Sequence, residues 1–215
     1  MKKTINQPKE NFAKLSDFKI AELKGQRVIL RADFNVPIKN RQIANSHRLL
    51  KEIPTLKFLS QSGAKTIVIS HLGDEKGSLK PVALFLNRYI KTSFSFLTEV
   101  GKRVTPLANG DILLLENLRL DPSEETNNKT FAKKLATLGD LYINDAFSTS
   151  HRQHASIVGL PKYLPSLAGP LFVTEYRNLS KIFTSSKPFI LILGGMKFET
   201  KIPLIKRYLN RADKI

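Results

Sequence analysis

In "RADFNVP" Asp33 and Asn35 stand two residues apart at the end of an apolar run, and "NSHRLL" supplies Arg48 soon after. Further along, "SHLG" carries His71, "LENLRL" carries Arg119, and "HRQH" holds Arg152 between His151 and His154. Guanidinium groups form charge-assisted, often bidentate bonds to phosphate and carboxylate, so three arginines and several imidazoles gathered at one place would clamp a small anion. Asp33 and Asn35 would then orient a hydroxyl group of the same ligand. Each residue taken singly also has a plainer reading: a solvated arginine, an Asn turn in "DFNVP", a satisfied core histidine. Two histidines at the "HRQH" spacing, with no carboxylate partner, are a weak metal signal, and no metal site is expected.

A second stretch, "GGMKFETK", follows an apolar run and opens a helical pattern. Amides at a helix start, with Gly194 and Gly195 before them and Lys197 and Lys201 four apart on one face, would meet phosphate oxygens. The spacing is not that of a P-loop, and a bare turn with two solvated lysines fits equally well.

Convergence of these side chains depends on the elements that carry them. Apolar runs at 27–33, 65–70, 111–117, 141–145 and 189–195 read as strands, with 94–100 as a further one. Between the first two, Leu49, Ile53, Leu56 and Leu59 step at helical spacing before Gly63, with Arg48 in the loop that precedes them. Leu79, Val82, Leu86 and Ile90 mark a second helix, and Phe131, Leu135 and Leu138 a third. Strands alternating with helices predict an α/β fold of three layers, a Rossmann-like, mostly parallel sheet covered on both faces, with ligands at the carboxyl ends of the strands.

Residues 171–183 read as a longer helix, and "TSSKP" after it as a boundary. The last strand and helix bury too little apolar surface to form a domain of their own. The expected division is therefore an α/β domain over 1–170, a connecting helix over 171–186, and over 187–215 a fragment of a second α/β domain.

Composition narrows the class. With 41% hydrophobic and 25% charged residues the chain is an ordinary globular protein, and without cysteine it has neither disulfides nor thiolate chemistry. No apolar stretch approaches the length of a membrane span, and the amino terminus lacks the apolar centre of a secretory signal, so a cytoplasmic protein without membrane partner is expected. The net charge of +17 points to an anionic partner without choosing among metabolite, nucleotide, nucleic acid and lipid headgroup.

The motifs "LRADFNVP", "SHLG", "LLLENLR", "NDAF", "HRQHAS" and "ILGGMKFETKI" resemble, in order and spacing, phosphoglycerate kinase, over nearly everything from about residue 15 onward. The resemblance covers that family's amino-terminal domain, its connecting helix and the first βα step of its carboxyl-terminal domain. It implies a glycolytic phosphotransferase that moves a phosphoryl group reversibly between 1,3-bisphosphoglycerate and ADP, giving 3-phosphoglycerate and ATP, with Mg²⁺. On that pattern Asp33 and Asn35 contact the glycerate hydroxyl and carboxyl region, and Arg48 contacts the transferring phosphoryl group. His71, Arg119 and Arg152 surround the remote phosphate, while Lys197 and Lys201, with Gly194 and Gly195, follow the phosphoryl group and the nucleotide. The chain would then be the glycerate-binding half, a monomer inactive alone, with most of the nucleotide site absent from it. It would be a fragment, a natural truncation or half of a split enzyme.

Departures from the family pattern are equally legible. Asp74 and Glu75 follow Gly73 where the family has an arginine that clamps the remote phosphate, so weakened glycerate binding is expected. Ser148 replaces a family glycine, Met196 a small residue, and Pro203 falls in the first turn of the last helix, where proline is tolerated. The competing reading is a non-catalytic polyanion or nucleic-acid module derived from the same domain. It is the weaker one, since no RNA-recognition motif or aromatic stacking array is present and nucleic acid is not an expected partner.

Overall fold

A computed structural model describes residues 9–73, 77–90, 94–97, 106–184, 186–194, 202–209 and 211–214. Eight strands occur among them: β1 (Arg27–Arg31), β2 (Ile38–Lys39), β3 (Gln42–Ile43), β4 (Lys65–Ile69), β5 (Phe94–Leu97), β6 (Ile112–Leu115), β7 (Leu141–Asn144) and β8 (Ser166–Ala168). Six form one sheet in the order β5-β6-β4-β1-β7-β8, and every pairing in it is parallel. β2 and β3 make a separate hairpin turned by Asn40 and Arg41, both at positive φ.

The helices are α1 (Ile20–Leu23), α2 (His47–Gln61), α3 (Lys80–Leu86), α4 (Pro122–Glu125), α5 (Lys129–Ala136), α6 (Pro170–Ser180) and α7 (Ile202–Tyr208). Alternation along β1 divides the core in two. Val28 and Leu30 join Leu49, Leu56 and Leu59 of α2 on one face; Ile29 joins Phe131, Ala132 and Leu135 of α5 on the other. A period of two along buried parallel strands, with period-3.6 helices on each face, gives the three layers expected.

The expected α/β sheet is therefore present, with four differences. The strand ends at 27–33, 65–70, 111–117 and 141–145 each stop one to two residues early, because the last residues turn out of the sheet to form loops. Arg48 lies in the first turn of α2 and not in a loop before it. β8 is a sixth sheet strand that three residues could not announce by periodicity. Residues 189–194 form no strand: Ile190 makes an isolated bridge to Lys214, and Ile192 is 89% exposed. A strand exists only through its pairing, however apolar its sequence.

Residues 11–176 form one compact unit; the other contains Glu10 and the described residues from Arg177 onward. In this smaller unit Arg177 pairs with Glu10 at 2.6 Å, Lys187 with Asp213 at 2.5 Å, and Phe189 packs edge-on against Tyr208.

One glycine in the larger unit is required by proximity. A Cβ added at Gly169 would collide with the carboxyl group of Asp145. That carboxylate accepts from Phe172 N at 3.0 Å in the first turn of α6 and from Thr55 Oγ1 of α2 at 2.9 Å. Gly169→Ala is expected to lower stability by roughly 1 to 3 kcal/mol, measured by urea unfolding, since Asp145 must shift and loses hydrogen bonds from two elements.

Candidate functional site

The carboxyl ends of β1, β4, β6 and β7 all open on one edge of the sheet. Their loops are tied together: Ala32 N donates to Ile69 O, Leu118 N to Ser70 O, and Asp145 N to Arg31 O. On this edge Asp33 and Asn35 follow β1. Asp33 Oδ1 accepts from Asn35 N at 3.2 Å, and Oδ2 accepts from Arg48 Nη1 at 2.8 Å and from Ser148 Oγ at 2.6 Å. Arg48 also donates to Asn35 O at 3.3 Å, and Asn35 Oδ1 accepts from Gly73 N at 2.7 Å. Asp33, Asn35 and Arg48 are thus brought together by direct bonds, as their sequence pattern suggested.

Beneath them lies a residue that sequence reasoning missed. Arg31, the last residue of β1, is 1% exposed. Its Nη1 donates to Ala32 O at 2.6 Å, its Nε to Ser156 Oγ at 3.0 Å, and its Nη2 meets His71 Nδ1 at 3.0 Å. Ser156 Oγ passes a hydrogen bond on to Glu124 Oε1 at 2.6 Å, and Ser156 N donates to Glu124 Oε2 at 2.9 Å. The signal was available: a guanidinium inside an apolar strand demands buried partners.

An arginine has only donors to offer, so His71 Nδ1 must accept, and the imidazole is neutral with its proton on Nε2. Burial, and the positive charges of Arg31, Arg119 and Arg152, hold its pKa down at about 2. Burial and the cations Arg119 and Arg152 also lower His154, against the attraction of Glu124, whose Oε1 stands 3.9 Å from its Nδ1.

Arg119 follows β6 in a short 3-10 turn, is 6% exposed, donates through Nη1 to Gly73 O, and has Nε 3.3 Å from Glu125 Oε1. Arg152 is half-buried near both histidines, while His151 is exposed. A cleft of about 1130 Å³ opens beside Asn35 and Gly73, floored by Val36 and Leu72 and edged by Lys39 and Arg41. Positive charge with a buried neutral histidine at its centre suits a small, multiply charged anion.

The family model for phosphoglycerate kinase matches residues 16–215. The chain belongs to the phosphoglycerate kinase family. It is 44% identical over 206 residues to phosphoglycerate kinase of Fervidobacterium nodosum, covering 90% of this chain and 52% of that protein. It is 44% identical over 208 residues to the Dictyoglomus turgidum protein of the same name, covering 92% and 52%. The solved structure of phosphoglycerate kinase from Coxiella burnetii superposes with a TM-score of 0.82 at 34% identity, covering 94% of this chain and 53% of that one. The chain spans about half the length of these relatives. The family read from its motifs is the family shown, and it is a family of kinases.

Of the residues that the family pattern assigns to the nucleotide, Lys197, Lys201 and Gly195 lie outside the described residues, as do Asp74 and Glu75 of the altered clamp. Gly194 is described, and a Cβ there would meet nothing within 4 Å. Among the described residues there is no group of three or more His, Cys, Asp or Glu side chains that could hold a metal ion.

Glu52 of α2 is a further residue that periodicity did not reveal as unusual. It is 1% exposed, and burial, then the nearby charge of Asp145 and, more weakly, that of Asp33, raise its pKa well above the ordinary 4.5. A carboxyl whose folded pKa is raised stabilises fully below its unfolded pKa and loses that contribution as pH rises through the folded value. Glu52→Gln, fixed in the neutral form, should therefore match wild type near pH 4 and exceed it increasingly above about pH 4.5, in urea unfolding followed across pH.

His71 carries the opposite sign. Its folded pKa lies below its unfolded one, so its contribution is present above about pH 6.5 and falls as the unfolded chain takes up a proton below that. Its ¹⁵N imidazole signals are expected to show one bare Nδ1 and one protonated Nε2 without titrating between pH 8 and pH 5.

Proposed function

We propose that this chain binds 3-phosphoglycerate or 1,3-bisphosphoglycerate at the carboxyl edge of its sheet, as the glycerate-binding half of phosphoglycerate kinase. The reaction would be reversible phosphoryl transfer between 1,3-bisphosphoglycerate and ADP, yielding 3-phosphoglycerate and ATP, in the cytoplasm. The observation that carries this reading is the assembly of Asp33, Asn35 and Arg48 above buried Arg31 and His71, with Arg119 on the flank. Residues 1–170 would form the glycerate domain, 171–186 the connecting helix, and 187–215 the start of the nucleotide side, with a monomer as the working form.

The chemistry asked of these residues is electrostatic. Phosphoryl transfer spreads charge over equatorial oxygens and needs little covalent help, so positioned cations supply most of the catalysis. Arg48 would leave Asp33 to hold the transferring phosphoryl group, Asp33 and Asn35 would orient the hydroxyl and carboxyl region, and His71, Arg119 and Arg152 would hold the remote phosphate. Members of this family work with ATP or ADP and Mg²⁺. Gly194, Gly195, Lys197 and Lys201 would face that nucleotide.

Asp74 modifies the affinity. Where one charge-assisted hydrogen bond is missing from the remote phosphate, about 1.5 to 3 kcal/mol is lost, roughly tenfold to over a hundredfold in binding. Calorimetric titration of 3-phosphoglycerate into the 215-residue chain, at two salt concentrations, tests the reading. Wild type is expected to bind weakly, Asp74→Arg at least tenfold more tightly, and Arg48→Ala more weakly than wild type. Heat that appears for any polyanion alike and vanishes at moderate salt would favour the polyanion module instead.

A further inference from the structure

The hydroxyl group of Ser148 lies 2.6 Å from Asp33 Oδ2, in the range of a charge-assisted O–H···O⁻ bond. A carboxylate has about four lone-pair sites. In Asp33 three are taken: Oδ2 accepts from Arg48 Nη1 and Ser148 Oγ, and Oδ1 accepts from Asn35 N. Among the described residues no group takes the fourth site, on Oδ1. Ser148 is an exposed residue of the 3-10 turn that follows β7, whereas Arg48 reaches the same oxygen from the first turn of α2.

Resting on the glycerate reading above, we propose that Ser148 is a positioning residue that acts through Asp33 and sharpens recognition of the ligand's hydroxyl group. By filling the second site of Oδ2 it does two things. It fixes the carboxylate plane against rotation, and it leaves the open site of Oδ1 as the place where a ligand hydroxyl donates. Without it, the carboxylate is free to turn about its Cβ–Cγ bond, and the hydroxyl acceptor is no longer aimed.

The discriminating measurement uses two ligands that differ only in that hydroxyl: 3-phosphoglycerate and 3-phosphonooxypropanoate. Titrated calorimetrically into the chain, Ser148→Ala should weaken 3-phosphoglycerate by about tenfold and leave the ligand without the hydroxyl within about twofold. Ser148→Thr, which keeps the hydroxyl, should restore the preference. Equal binding of 3-phosphoglycerate by wild type and Ser148→Ala overturns the inference while the glycerate site stands. An equal loss for both ligands overturns it too, since it marks a structural effect on the turn. A wild-type chain that binds neither ligand overturns the site reading, and this inference with it.

Discussion

Burial of one guanidinium at the end of the central strand is the constraint on which the rest of the site depends. Arg31 is surrounded by packed strands, and a charge in such a place is tolerated only when it is fully bonded. Its partners come from four places: Ala32 beside it, His71 after β4, Ser156 after the "HRQH" stretch, and Glu124 of α4 at one remove through Ser156. Ser156 is itself saturated, with Tyr142 Oη donating to its carbonyl at 2.8 Å. The relay fixes where the segments bearing His71, Arg119, Arg152 and His154 leave the sheet. Deleting one partner of such a buried charge typically costs 3 to 5 kcal/mol, far more than any surface pair.

The same charge decides the chemistry of its neighbours. Arg31 occupies Nδ1 of His71 as a donor, and Arg119 and Arg152 oppose a second positive charge. The histidine is thereby a neutral donor through Nε2, able to bond an anionic oxygen without adding to the crowding of cations. On the other side of Asp33 the problem is inverted. Glu52, Asp145 and Asp33 are three acids in close range, and burial together with their repulsion raises the pKa of the innermost. Asp145 keeps its place through Thr55 and the first turn of α6, which is why Gly169 must lack a side chain.

Much of this was legible in the sequence because periodicity and motif both depend on short range. Apolar runs located five of the six sheet strands, and the motif residues Asp33, Asn35, Arg48, His71 and Arg119 do gather on one edge. What periodicity could not reveal depends on distant partners. Arg31 reads as an interruption of an apolar run, and only Ser156 and Glu124, more than ninety positions away, show why it is tolerated. Residues 189–194 fail in the reverse sense: their pattern is that of a buried strand, but among the described residues they meet only an isolated bridge at Lys214 and bonds from Phe189 to Asp213. Glu52 occupies an ordinary helix position in the sequence, and only its burial, with Asp145 and Asp33 close by, makes it unusual.

The cations at the sheet edge are not idle charges awaiting a ligand. Arg48 is held by Asp33 and Asn35, and Arg119 by the carbonyl of Gly73 and the carboxylate of Glu125. Binding of an anion at this edge is therefore an exchange of partners, and its free energy is the small difference between two sets of charge-assisted bonds. Long-range attraction from a net charge of +17 accelerates encounter and is screened within about 10 Å at moderate salt. It cannot distinguish a glycerate from any other anion. Selectivity must come from bonds that the exchange leaves in place: the buried Arg31 relay, and the bonds that Ser148 and the Asn35 amide make to Asp33.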